Sequence, residues 1–189
     1  MNMQNKNIIR IALVTAFLLL IPLAAMQFSD EVTWNLFDFI VAGTLLFGCG
    51  LTYELIARKA GNAAYRAAAG VAVAAALLLV WINLAVGIIG SEDNPANLMY
   101  FVVLAVGIIG AGIARLQPRG MARALLATAI AQALVPVIAL IIGRSQLQSM
   151  HEPPGVLGVF VLNTCYVTLF AASALLFRPS APQGSVPGA

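Results

Sequence analysis

Six stretches of this sequence run without a charged side chain: Ile11 to Ser29, Phe39 to Tyr53, Ala67 to Ser91, Asn94 to Ala114, Ala124 to Gly143 and Pro153 to Phe177. A helix rising 1.5 Å per residue needs about 20 mostly apolar residues to cross a hydrocarbon core, so these runs constrain the fold more than any other feature. The second run is short, and it reaches spanning length over 34–57 if Asp38 and Glu54 sit at the lipid boundaries. Only 9% of the residues are charged, against roughly 25% in soluble domains. Mean hydropathy is +0.96, and a water-soluble fold is excluded. The Ala/Leu/Val/Ile runs are continuous and lack the alternation of barrel strands. The expectation is an all-α, polytopic transmembrane bundle occupying 1–178, with spans near 8–28, 34–57, 67–90, 97–114, 124–143 and 155–177. Residues 179–189, rich in proline and free of acids, read as a disordered cytoplasmic tail.

Lys and Arg collect in cytoplasmic loops. With both termini inside, Lys6, Arg10, Arg58, Lys59, Arg66, Arg115, Arg119, Arg123 and Arg178 all fall on the cytoplasmic face, and Arg144 alone lies outside. The acids show the opposite bias, with Glu54 inside and Asp30, Glu31, Asp38, Glu92, Asp93 and Glu152 outside. The net charge of +3 thus reflects topology and contact with anionic lipid. It gives no support for a nucleic-acid partner. This pattern and the small size suit a bacterial inner membrane. The first run follows Lys6 and Arg10 as a signal peptide would, but it is long for a signal h-region, and Leu23 occupies a place where cleavage wants a small side chain. A retained first helix is expected.

An internal repeat is visible. Ser29 to Leu51 overlays Ser91 to Ile113 with identities at Ser29/Ser91, Asn35/Asn97, Leu36/Leu98, Phe39/Phe101, Val41/Val103, Gly48/Gly110 and Gly50/Gly112. A weaker match pairs Arg66 with Arg119 and Ile88-Ile89-Gly90 with Ile141-Ile142-Gly143. The simplest unit is a helical hairpin entered from the inside and used three times in tandem. Its copies share one orientation, which implies a pseudo-threefold arrangement about the membrane normal. Mitochondrial carriers also comprise three hairpins, but their Pro-x-acid-x-x-base signature is missing: Leu23, Ala24 and Ala25 follow Pro22.

Helices in lipid associate through close backbone approach at small residues. Gly48, Gly50, Gly87, Gly90, Gly107, Gly110 and Gly112 are the expected helix-packing positions; no strand precedes them, so a phosphate loop is excluded. Trp34, Phe37, Phe39, Tyr100 and Phe101 read as an outer aromatic belt, and Tyr53 and Tyr65 as an inner one. Cys49 and Cys165 differ in depth, so no bond between them is expected.

Catalytic constellations are sparse. The single histidine, His151, falls in an outer loop, which excludes paired-histidine haem ligation and a Ser-His-Asp triad within the membrane. Neither a nucleophile elbow nor a P-loop nor Cys-x-x-Cys occurs, and no enzyme activity, metal or cofactor is expected. Glu54 stands four residues before Arg58, the favourable order for a helical ion pair. Ionisable or polar residues within spans are candidate functional sites, and here they are Asp38, Asn83, Gln132 and Asn163. In one reading they hydrogen-bond between helices at about 0.6 kcal/mol each, and the chain is an accessory or scaffolding membrane protein whose partners are the bilayer, another membrane protein or its own copies. In the other, Asp38 anchors an outward-facing polar vestibule for a small solute or proton, with Asn83, Gln132 and Asn163 orienting it.

Overall fold

The computed structural model describes residues 3–29, 32–142 and 155–178. Its helices are α1 (Met3–Phe28), α2 (Leu36–Ala57), α3 (Ala63–Ala85), α4 (Met99–Ile113), α5 (Pro118–Ile142) and α6 (Gly155–Phe177), with one 3-10 turn, Pro95–Leu98, leading into α4. Six segments are long and apolar enough to cross a membrane, the fourth counted with its 3-10 turn. Such helices mark a membrane protein. Four of them start before the uncharged runs do, because Lys6 and Arg10, Asp38, Arg66, and Arg119 and Arg123 lie within the opening turns of α1, α2, α3 and α5. Long basic side chains there carry their charge back to the interface. Pro118 stands at the first helical position of α5, where its missing N–H costs nothing, and Asn62 caps α3 by accepting from Tyr65 N at 2.9 Å.

The chain divides into two compact units, Met1–Arg58 and Lys59–Ala189. In the first, α1 packs along α2. Gly50 brings the helices together: a Cβ there would lie 2.6 Å from Ile11 Cγ2. Asn35 caps α2 in a capping box, its side-chain oxygen accepting from Phe37 N (2.7 Å) and Asp38 N (3.2 Å) while Asp38 Oδ2 accepts from Asn35 N (2.8 Å). At the other end, Glu54 Oε1 accepts from Asn7 Nδ2 (2.6 Å) and Arg58 Nε (3.1 Å). The expected Glu54–Arg58 pair is formed and also ties α2 to α1.

In the second unit, α5 packs between α4 and α6, and α3 lies on the other side of α6. Helices α3 and α4, adjacent in sequence, touch sparingly. Ser173 Oγ on α6 donates to Ala68 O on α3 at 2.7 Å. Along α4 and α5, Cβ atoms at Gly107 and Gly110 would meet Thr128 Oγ1 at 3.1 Å and Ala124 Cβ at 2.8 Å. Gly48 and Gly112, expected at packing faces, have no described neighbour within 4 Å of an added Cβ.

Gly87 and Gly90 also depart from expectation. The heptapeptide Leu-Ala-Val-Gly-Ile-Ile-Gly occurs at 84–90 and again at 104–110, yet only the second copy is helical throughout. After Ala85 the first copy leaves the helix through Gly87 (φ 71°) and Gly90 (φ 67°), conformations natural to glycine. Asn97 organises this turn. Its side-chain oxygen accepts from Ile88 N (3.1 Å) and Ile89 N (2.9 Å), and its amide donates to Ser91 O (2.7 Å). Ile88 and Ile89 are buried, whereas their counterparts Ile108 and Ile109 are exposed. Identical local sequence thus takes two structures, and a side chain several residues away decides which.

The α4–α5 connection carries strain. Arg115 (φ 48°) and Leu116 (φ 60°) both occupy the left-handed region, at roughly 1–2 kcal/mol per residue. They are held by Leu116 N donating to Ala111 O (3.3 Å) and by the Tyr65 hydroxyl donating to Leu116 O (2.7 Å). Tyr65 itself packs edge-on against Phe177, ring centroids 4.9 Å apart. Tyr65 was expected in the inner belt and is instead 1% exposed.

Candidate functional site

Thr128 and Ser173 spend their hydroxyls on the backbone carbonyls of Ala124 and Ala68, and the buried amide side chains of the second unit fall into two groups. The first joins three helices. Asn163 on α6 donates from Nδ2 to Val159 O (2.7 Å) and to the Tyr100 hydroxyl on α4 (3.0 Å), and its Oδ1 accepts from Gln132 Nε2 on α5 (2.9 Å). Gln132, Asn163 and Tyr100 are 0%, 2% and 1% exposed. The amide orientations follow from one fixed point. Because Val159 O can only accept, Asn163 must present Nδ2 to it; Oδ1 then faces Gln132, which must present Nε2. Gln132 Oε1 is left buried with no hydrogen-bond partner among the described residues. Such an orphan costs about 1–3 kcal/mol. Chemically, the trio is a hydrogen-bonded lock, with the phenol as its only titratable group.

The second group lies where α3 ends. Asn83 Nδ2 donates to Asn97 O at 3.4 Å, and Asn83 Oδ1 has no described partner. Turning this amide over would set two oxygens against each other, so the orphan does not depend on the amide assignment. Asn83, Glu92, Asp93, Asn94, Asn97 and Phe101 line a cavity of about 440 Å³.

Of the residues expected from sequence, Gln132 and Asn163 are directly bonded, whereas Asn83 is bonded to Asn97. Asp38 belongs to the first unit, half-buried, with its carboxylate closing the α2 cap. Tyr100 and Asn97 were missed as polar-site residues. In the sequence Tyr100 reads as a belt residue, because tyrosine at a span end usually is one, and Asn97 carries only its repeat relation to Asn35. The two asparagines play different roles, one capping a helix and the other filling a turn. Cys49 is half-buried, Cys165 is exposed, and both are free. Among the described residues no group of three or more His, Cys, Asp or Glu is placed to hold a metal. His151, Arg144, Asp30, Glu31, Glu152 and the tail 179–189 lie outside the described residues. Comparison with protein-family models, curated proteins and solved structures finds no match.

Proposed function

We propose that this chain is a non-enzymatic accessory or scaffolding protein of a bacterial inner membrane, with both termini cytoplasmic, acting by lateral contact with another membrane protein or with its own copies. The observation that carries this reading is the polar lock: Gln132, Asn163 and Tyr100 answer one another across α4, α5 and α6, an arrangement suited to fixing a bundle. The first unit adds to it. Only 6% of the most apolar window of α1, and the same share of α2, is buried, against 39% of that of α5. Taken by itself, a hairpin of two such apolar helices offers a long lateral surface. The three-hairpin, pseudo-threefold repeat belongs to this proposal. It rests on the overlay of Ser29–Leu51 with Ser91–Ile113 and on the packed pairs α1/α2 and α5/α6; the sparse contact of α3 with α4 counts against it. The test is purification from native membranes in mild detergent. One stoichiometric membrane partner, or a defined homo-oligomer, is the expected result.

A second reading, solute binding in an outward-facing vestibule, is favoured by the cavity at Asn83, where an orphaned acceptor meets Glu92 and Asp93. Asp38 adds less to it than its sequence position suggests, since the cap accounts for its carboxylate. Thermal stabilisation of the isolated protein by a small solute, abolished in Asn83→Leu, would favour this reading over the first.

A further inference from the structure

Asn83 stands in the last turn of α3, and the turn that Asn97 organises carries the chain round so that Glu92 and Asp93 line the same cavity of about 440 Å³. Much of the polar capacity of this connection is spent internally. Asn97 Oδ1 accepts from Ile88 N and Ile89 N, its amide donates to Ser91 O, and Asn94 Oδ1 accepts from Ala96 N at 3.0 Å. The side-chain acceptors left in the lining are Asn83 Oδ1 and the carboxylates of Glu92 and Asp93. Asn83 is 5% exposed, its Nδ2 is committed to Asn97 O, and its Oδ1 has no described partner. Among the described residues neither Glu92 nor Asp93 is engaged in a hydrogen bond or ion pair. A buried acceptor without a donor is costly, and ionised carboxylates beside it can only accept. The complementary ligand therefore donates hydrogen bonds and is positively charged.

Resting on the second reading above, we infer that this cavity binds a primary ammonium group, carried by a free alkylamine or by a phosphatidylethanolamine headgroup. An ammonium combines a positive charge with several N–H donors, so one group can answer Asn83 Oδ1 and a carboxylate together. The rest of the wall suits a carbon body behind it. Leu84, Leu98 and Phe101 are exposed apolar side chains of the same cavity, and an aromatic ring attracts a cation. A hard divalent ion fits less well. It takes about six to eight oxygen ligands when it is calcium, whereas no group of three or more His, Cys, Asp or Glu is placed to hold a metal among the described residues, and the apolar wall would be idle.

The full-length protein in nonionic detergent is melted with butylamine, butyltrimethylammonium, butan-1-ol, phosphatidylethanolamine or phosphatidylcholine, and apparent affinities are taken from the rise of the thermal midpoint with concentration. The ammonium probe is expected to bind about tenfold more tightly than its counterpart without N–H donors, butylamine over butyltrimethylammonium or phosphatidylethanolamine over phosphatidylcholine, the factor that one charge-assisted hydrogen bond supplies. The tighter of the two ammonium probes names the source, free amine or lipid. Glu92→Gln/Asp93→Asn should weaken that probe about tenfold and leave butan-1-ol unchanged; both side chains are exposed, and an unchanged circular dichroism spectrum verifies folding. Asn83→Leu should weaken it as well. Equal binding of both members of each pair would overturn the role of Asn83 Oδ1 and leave attraction to bare negative charge. Butan-1-ol binding as tightly as butylamine would overturn the ammonium assignment while the solute reading stood. If no probe raises the midpoint, both fall.

Discussion

Replacing Asn163 by Leu and Gln132 by Leu should have very unequal effects, although the two side chains share one hydrogen bond. Asn163→Leu removes the bond from Gln132 (2.9 Å) and the bond to Tyr100 (3.0 Å), at about 0.6 kcal/mol each within a membrane bundle. It also strands the whole Gln132 amide, 0% exposed, at a further cost of about 1–3 kcal/mol. The expected loss is about 2–4 kcal/mol. Gln132→Leu removes one bond and leaves Asn163 Oδ1 with only the Tyr100 hydroxyl at 3.4 Å, but it also abolishes the orphaned Oε1, so the effects oppose each other and the net change should stay within about 1 kcal/mol of zero. The double variant should then be more stable than Asn163→Leu alone, a non-additivity that distant sites do not show. Equilibrium unfolding in mixed micelles, read by helical circular dichroism, supplies the three free energies. If Gln132→Leu costs as much as Asn163→Leu, the orphan assignment is wrong, and Oε1 has a partner that the lock does not contain.

Other positions yield sharper contrasts. Asn97→Leu should destabilise by about 2–4 kcal/mol, since it unpairs Ile88 N and Ile89 N and removes one of the two hydrogen bonds to Ser91 O, which keeps the one from Asn94 N (3.1 Å); proteolysis between α3 and α4 should rise in parallel. Gly110→Leu should disrupt the α4–α5 contact and lower the thermal midpoint, whereas Gly112→Ala, with open space around it, should be neutral or stabilising by up to about 1 kcal/mol through helix propensity. Tyr65→Phe should cost about 1 kcal/mol by releasing Leu116 O, and Arg115→Gly should recover about 1 kcal/mol of left-handed strain. Their opposite signs in thermal melts would test whether that turn is held under tension.

The six helices were legible because lipid as solvent leaves a coarse signature: long apolar runs punctuated by charge. Their limits were less so. A rule that stops at the first charge misplaces α3 and α5, since Arg66, Arg119 and Arg123 reach the interface from inside the helix. Gln132 and Asn163 were identifiable as interior residues because uncharged amides in such runs must find partners, but the Tyr100 hydroxyl that completes the lock carries no sequence mark distinguishing it from an interfacial tyrosine. The repeat shows the same limit. Gly48 aligns with Gly110 and Gly50 with Gly112, yet Gly50 and Gly110 approach a neighbour while Gly48 and Gly112 do not. Identity along the chain therefore did not translate into equivalent packing. The heptapeptide at 84–90 is the clearest case, because its helical propensity equals that of its copy at 104–110 and tertiary hydrogen bonds from Asn97 override it.

The polar lock requires a closed interior in the four-helix unit, and thiol accessibility measures this most directly. With Cys49 and Cys165 replaced by alanine, single cysteines are placed at Gln132 and Asn163, with Asp93→Cys as the positive control, and a membrane-impermeant maleimide is applied to the Asp93 side of sealed membranes. The closed lock predicts labelling at position 93 and none at 132 or 163. Labelling at both interior positions at a rate comparable to that at 93 would mean that water reaches between α4, α5 and α6, and would contradict the account in favour of a solute path.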